Sequence, residues 1–363
     1  MILRFANTEF SPRVRSGMSM AEVLVALFLM ALGSIAILTM FPLGMYHMGQ
    51  ALKDDRTAQC AAQADAFMRS YWRMAVVQGG SAGEPFVTAM DDPNSPDQGG
   101  PLPLRPVAFV PGPSFPVFVD PMGFVTPWGS QNNSFQKDWV AYPGSTSNPP
   151  FLPRRSLNVF FPPPNLLNTR LDPQRTCSLM DGYGYAENGT ANNLGGSSIE
   201  RELRYNWLWV LQRPDNTVRN VASMTVVVFD KRAYQYAPSG AESSYTWDGT
   251  PSPSAANLVS FVPLTTSISI PKSMGVPQIP KGGWVMDGSN VPAQGIRHAI
   301  FYRVVSVTDN PNNPSLGVPT TDIELQTPIR RLDGSTNQYF GTLVYLASVS
   351  EVFERPNLTP NDF

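Results

Sequence analysis

The stretch VLVALFLMALGSIAILTMFPLGMYHMGQ, residues 23–50, contains no Asp, Glu, Lys or Arg. It exceeds the ~20 residues that a helix needs to cross a ~30 Å hydrocarbon core. Upstream lies a polar, basic segment with Arg4, Arg13 and Arg15. The positive-inside rule keeps such arginines cytoplasmic, so the remainder of the chain is expected on the far side of the membrane. A secretory signal has a shorter apolar core that ends in a small-residue cleavage site, and no A-x-A-like end precedes Pro42. The stretch therefore reads as a retained transmembrane anchor, single-pass, with its N-terminus cytoplasmic and the bulk of the chain extracytoplasmic.

Downstream, Lys53-Asp54-Asp55-Arg56 closes the apolar run. Ala58, Ala61, Ala64, Phe67, Met68, Tyr71, Met74 and Ala75 then recur at a spacing of three to four, which predicts an amphipathic helix continuing the anchor. Gly79 and Gly80 supply the stop signal. From Glu22 to Val77 such a helix spans about 84 Å at ~1.5 Å per residue, so its second half is expected to project from the membrane. Pro42 lacks an amide donor and is expected to kink or loosen the first half.

Glu22 stands at the head of the apolar run, in Gly17-Met18-Ser19-Met20-Ala21-Glu22-Val23-Leu24. An ionised carboxylate at the edge of lipid is costly and needs a partner. No Lys or Arg lies between Arg15 and Lys53, so the nearest cation available inside the bilayer is an α-amine created by cleavage after Gly17. A plain signal anchor whose Glu22 snorkels to the interface is the competing reading.

Arg15-Ser16-Gly17, then Met18 and, four residues on, Glu22 at the start of a long apolar helix, resembles the cleavage and methylation motif of type IV prepilins and type II secretion pseudopilins. The resemblance implies a leader peptide at 1–17, removed by a prepilin peptidase that cuts after Gly17 and N-methylates Met18. It also implies that Glu22 pairs with the Met18 amine of an adjacent subunit during assembly, on an inner-membrane platform and alongside other pilin or pseudopilin subunits. Met18 stands where the family commonly has Phe, and Pro42 lies a few residues later than the family's usual proline. The family's fold is a long N-terminal helix packed on an antiparallel sheet, and a head of this size favours a minor subunit.

At 363 residues the chain is longer than the ~100–200 residues usual for one domain. Its 36 Pro and 28 Gly fall mostly after residue 79 and point to short strands between many turns. The expected fold is α+β, with a helix over 18–78, an irregular Pro/Gly-rich connection over 79–150 holding short extended pieces such as Val117–Val119, and a β-rich head over 151–363. Strands are expected at 157–161, 205–211, 224–229, 284–286, 300–307, 323–326, 342–346 and 349–353. Arg213-Pro214-Asp215-Asn216 is expected to turn one strand into its antiparallel neighbour. The polar stretch 239–256 reads as a surface loop. Tyr205, Trp207 and Trp209 alternate along one strand face, with core packing as the default.

The remaining composition bears on function. A net charge of −2 with 15% charged residues offers no basic field for nucleic acid. The histidines are His47, in or beside the membrane stretch, and His298, before a strand. No G-x-S-x-G, H-E-x-x-H or phosphate loop accompanies them, so an enzyme is not expected and His298 reads as a satisfied sheet-edge residue. Asp91, Asp92 and Asp97 depart from the spacing of a calcium loop and read as solvated, and Asp309-Asn310 with Asn312-Asn313 reads as a hairpin tip. No metal or cofactor is expected. Cys60 and Cys177 are too few for a metal site and leave open either one disulfide or two buried thiols.

Overall fold

A computed structural model describes residues 17, 19–79, 84–91, 112–120, 153–160, 171, 176–179, 204–230, 244–247, 259–272, 276, 278–291, 296–313, 317–346 and 348–360. Its contacts divide the chain into two units, Met1–Asp55 and Arg56–Phe363.

The helix expected from the apolar run and the stripe behind it is present as α1 (Met20–Trp72), and Pro42 lies within it without ending it. A π turn, Arg73–Gln78, follows. Gly79 closes it by donating its N–H to the Met74 carbonyl at 3.0 Å. A Cβ on Gly79 would stand 2.8 Å from the Ala75 carbonyl oxygen, so this tight closure requires glycine.

The second unit opens with the last turns of α1. Thr57, Cys60, Ala61, Ala64, Met68, Tyr71, Trp72 and Val76 are buried, a stripe at helical spacing facing one side. Ala58 and Met74, expected in that stripe, are exposed instead. α2 (Pro85–Asp91) packs into the same core through Phe86, Val87, Ala89 and Met90.

In chain order the strands are β1 (Val117–Val119), β2 (Arg154–Arg155), β3 (Tyr205–Gln212), β4 (Ala222–Asp230), β5 (Ser244–Trp247), β6 (Ser260–Phe261) and β7 (Ser267–Pro271). They continue with β8 (Trp284–Asp287), β9 (Asn290–Val291), β10 (Ile296–Arg297), β11 (Ile300–Asn310), β12 (Thr320–Leu325), β13 (Tyr339–Phe340), β14 (Leu343–Leu346) and β15 (Val349–Leu358). The first sheet has the order β15-β4-β3-β1-β2 and the second β5-β14-β8-β11-β12-β7, with β9 and β10, and β6 and β13, forming two-stranded ribbons. All pairings are antiparallel except that of β1 with β2.

Alternation along the strands sorts the side chains into three cores. Tyr205, Trp207, Trp209 and Leu211 of β3, with Met224, Val226 and Val228 of β4, lie under the buried stripe of α1. Leu208 and Val210, with Val227 and Phe229, face the other way and meet Met286, Val344 and Leu346 of the second sheet. The opposite face of that sheet, including Val285, Tyr302, Ile323 and Tyr345, forms the third core. Helix, first sheet and second sheet are therefore stacked layers of the second unit, and both faces of β3 are covered. This explains why β3 reads as a nearly continuous apolar run.

Two expectations are corrected and one alternative left open is resolved. Leu157–Phe160 is a turn, closed by Phe160 N–H donating to the Leu157 carbonyl at 3.0 Å, and its Leu157 and Phe160 side chains fill the first core. Apolar content marked burial there, not extension. The loop expected over 239–256 contains β5, an edge strand on β14. The remaining residue numbers of that range lie outside the described residues. Cys60 and Cys177 are buried thiols in the first core and form no disulfide, each serving as a small apolar side chain.

Candidate functional sites

Gly17 is exposed, with no neighbouring atom near the position of a Cβ. Met18 lies outside the described residues. Ser19 caps α1: the Glu22 N–H donates to Ser19 Oγ at 3.3 Å, and the Ser19 N–H donates to Glu22 Oε2 at 3.4 Å. This is a capping box, two otherwise orphaned donors at a helix start satisfied reciprocally, and the acid also stands at the positive end of the helix dipole. The S-x-x-E signature at 19–22 was legible in the sequence, and it gives Glu22 a donor three residues away in addition to any cation.

Behind Glu22, the described side chains from Val23 to Leu52 are exposed. This part of α1 is long and apolar enough to cross a membrane, with mean hydropathy 2.6 over its most apolar window. Ser34 Oγ donates to the Met30 carbonyl at 2.9 Å, so its hydroxyl finds a partner within the helix, as lipid requires. His47 is exposed and stands edge-on to Tyr46, with ring centroids 5.8 Å apart.

Buried polar clusters among the described residues of the second unit include the Asp120–Arg154 pair and the three that follow. At the end of α1, Tyr71 Oη donates to Glu84 Oε1 at 2.7 Å, and the Asn158 N–H donates to Oε2 at 3.4 Å. Burial pushes both groups up: Glu84 rises above its ordinary value against the pull of its donors, and Tyr71 rises well above the ordinary phenol range, with the Glu84 charge adding to the effect. A hollow of about 340 Å³ is lined by Ser70, Arg73, Met74 and Gln78, exposed residues of α1 and the π turn.

At the turn after β3, Arg213 Nη1 donates to Asp91 Oδ1 at 2.5 Å. Asp91 is thus tied to a buried guanidinium, while Asp92 and Asp97 lie outside the described residues. Desolvation lowers Arg213 and the Asp91 charge opposes that shift.

The third cluster surrounds Asp287 at the end of β8. Its Oδ1 accepts from the Ser289 N–H at 3.0 Å and from Ser289 Oγ. Its Oδ2 accepts from Tyr339 Oη at 2.6 Å and lies 2.8 Å from His298 Nδ1. His298 Nε2 accepts the Leu332 N–H at 3.4 Å, which makes Nδ1 the protonated ring nitrogen in the neutral imidazole. Asp287, Ser289, His298 and Tyr339 are all at most 2% exposed. Burial, followed by the Asp287 charge, pushes the Tyr339 hydroxyl far above the ordinary phenol range, and Tyr302, which accepts the Arg330 N–H, is pushed up to about 12. Gly341 makes room for the cluster, because a Cβ there would overlap Ser289 Oγ.

Although it contains Ser, His and Asp, this group lacks the geometry of a nucleophilic triad. In a triad the serine hydroxyl sits on the imidazole nitrogen opposite the carboxylate. Here that nitrogen is occupied by a backbone amide, and Ser289 sits on the carboxylate. His298 is satisfied as the sequence suggested, but in the interior rather than at a sheet edge.

The remaining expected residues fall into place structurally. Tyr205, Trp207 and Trp209 are buried, with Trp209 stacked 5.7 Å from Phe67 of α1. Asp309-Asn310 and Asn312-Asn313 lie at the tip joining β11 to β12, where the Asn312 N–H donates to Asn310 Oδ1. Among the described residues no three His, Cys, Asp or Glu side chains are grouped to hold a metal ion.

Fold and site together define an α+β protein with an exposed apolar N-terminal helix and a β-rich unit. No family model, curated protein or solved structure matches the chain.

Proposed function

We propose that the chain is a membrane-anchored structural subunit of a filament, a minor pilin or pseudopilin of a type IV pilus or type II secretion pseudopilus, cleaved after Gly17 and N-methylated at Met18. The observation that carries this reading is the position of Glu22. It is an acid in the first turn of α1, five residues after an exposed Gly17, heading a helix whose described side chains stay exposed from Val23 to Leu52. A carboxylate at that depth is retained when a neighbouring charge relieves it, and the amine freed at Met18 of an adjacent subunit is such a charge. The apolar helix serves as a single-pass anchor in the cytoplasmic membrane, N-terminus inside and head outside, before passing into the filament. The partners are a prepilin peptidase, an inner-membrane assembly platform and other subunits. The head acts by packing and contact, without catalysis or cofactor. The engagement of both His298 nitrogens supports that part of the reading.

Replacing Glu22 tests the proposal. Glu22→Ala is expected to leave an inserted, processed and folded subunit that fails to enter filaments. Full incorporation of the variant would contradict it.

One observation favours a second reading, a signal-anchored extracytoplasmic protein whose head binds a ligand or hydrolyses one. The reciprocal Ser19–Glu22 bonds give Glu22 a local role that needs no second subunit. If capping were the whole role, Ser19→Ala and Glu22→Ala would weaken the protein alike. In a filament subunit only the second blocks assembly.

A further inference from the structure

Asp287 and His298 link the strands of the second sheet to a surface turn. The fully buried Asp287 carboxylate is saturated by donors from Ser289, His298 and Tyr339, so it has no free acceptor position with which to answer a change elsewhere. His298 is then the one member of the group whose second nitrogen faces outward along the chain, to the Leu332 N–H. Leu332 lies in the turn Arg331–Gly334, which is closed by the Gly334 N–H donating to the Arg331 carbonyl at 3.1 Å, with Gly334 at φ +71°. Within the turn Asp333 pairs with Arg331 and accepts the Ser335 N–H at 2.9 Å.

We infer that His298 is a pH-operated latch on the Arg331–Gly334 turn, closed while its Nε2 accepts the Leu332 amide and opened when that nitrogen takes up a proton. The sign follows from the donor inventory. A neutral imidazole with Nδ1–H offers an acceptor at Nε2, whereas an imidazolium offers donors at both positions, so two N–H groups would then point at each other. The charged groups facing the ring decide where the turn goes. Asp287 from β8 and the Tyr339 hydroxyl from β13 stay on the Nδ1 side. Tyr302 from β11 lies within electrostatic reach of Asp287. In the turn itself Arg331 repels the new charge and Asp333, its partner, attracts it. Opening therefore exchanges the Leu332 amide for the Asp333 carboxylate as the partner of Nε2, at the expense of the Arg331–Asp333 pair. The half-exposed Leu332 side chain moves with the turn, while the sheets, whose ladders do not include it, stay in place.

The test uses the full chain in detergent micelles. Its two histidines, His47 and His298, give a sparse ring-nitrogen NMR spectrum when labelled. At pH 7.5 His298 is expected as the Nδ1–H tautomer. On acidification its titration should coincide with a loss of hydrogen-exchange protection of roughly fivefold at Leu332, corrected for intrinsic rate, about the worth of one hydrogen bond. Amides of β11 and β12 should keep theirs. In His298→Gln the pH dependence at Leu332 should vanish. If that variant does not fold, the coincidence of ring titration and Leu332 protection in the unaltered chain still decides. An Nε2–H tautomer at pH 7.5, protection at Leu332 that does not follow the ring, or loss only together with the whole head would overturn the inference.

Discussion

The indole Nε1 of Trp209 donates to the main-chain carbonyl of Ala64 at 2.9 Å, joining the middle of the first sheet to the buried stripe of α1. Ala64 is fully buried and leaves room for the ring, which stacks on Phe67 one turn further along. A tryptophan at this position contributes both a large apolar area and a directed bond, so it fixes the register of helix against sheet as well as their contact.

Trp209→Phe should therefore cost about 1–3 kcal/mol through the lost hydrogen bond and part of the packing, and Trp209→Ala about 3–5 kcal/mol. Val218→Ala, at a half-exposed site away from any core, should change stability by less than about 0.5 kcal/mol. Chemical denaturation of the detergent-solubilised chain, followed by tryptophan fluorescence and circular dichroism, measures all three.

A second prediction concerns pH. Burial raises Glu84 above its ordinary value near 4.5, so the folded chain keeps this proton to a higher pH than the unfolded chain does. Between the two values the folded state binds more protons, and stability falls as pH rises. The contribution is fully present below the unfolded value and is gone once pH passes the raised folded one. Asp309, Asp322 and Asp333 are lowered instead, so their contributions are lost as pH falls below the ordinary aspartate range. Glu84→Gln should flatten the stability slope from pH 4.5 upward, as read by thermal melts across that range. An unchanged slope would show that Glu84 is not its source.

Gly341 and Ser289 should be coupled. A Cβ on Gly341 collides with the Ser289 side chain, so Gly341→Ala should destabilise by about 1–3 kcal/mol, the usual cost of overpacking. Ser289→Gly removes the obstacle but also the hydroxyl donor to Asp287, and is destabilising by itself. The double variant should be less destabilised than the sum of the two, and additive losses would place the two residues apart. A double-mutant cycle gives the coupling directly.

Long-range pattern was legible in the sequence, while local exceptions to it were not. The uncharged run from Val23 and the stripe containing Ala61, Ala64 and Met68 announce α1, because helical period and hydropathy are properties of many residues at once. The same holds for β3, β4, β8 and β11, whose aromatic and β-branched content fits a pleated, covered surface. β5 was missed because Ser244–Trp247 sits among Ser, Pro and Gly and is a strand only through its pairing with β14. Leu157–Phe160 failed in the opposite sense, since a short apolar run records burial without saying how the backbone achieves it.

At the candidate sites, Gly17 and Glu22 were proposed from the motif they form in the sequence. The Ser19 cap and the Asp287 cluster were not, for different reasons. The cap is a local signature that was present and overlooked. Asp287, Ser289, His298 and Tyr339 are brought together from β8, the loop behind it, the approach to β11 and from β13, and no spacing along the chain records that meeting.

The most direct test of the central claim is intact and N-terminal mass spectrometry of the chain recovered from membranes, with and without a co-expressed prepilin peptidase of proven activity on a control. The account predicts a peptidase-dependent N-terminus at N-methylated Met18. A chain that keeps Met1 in both samples would contradict it.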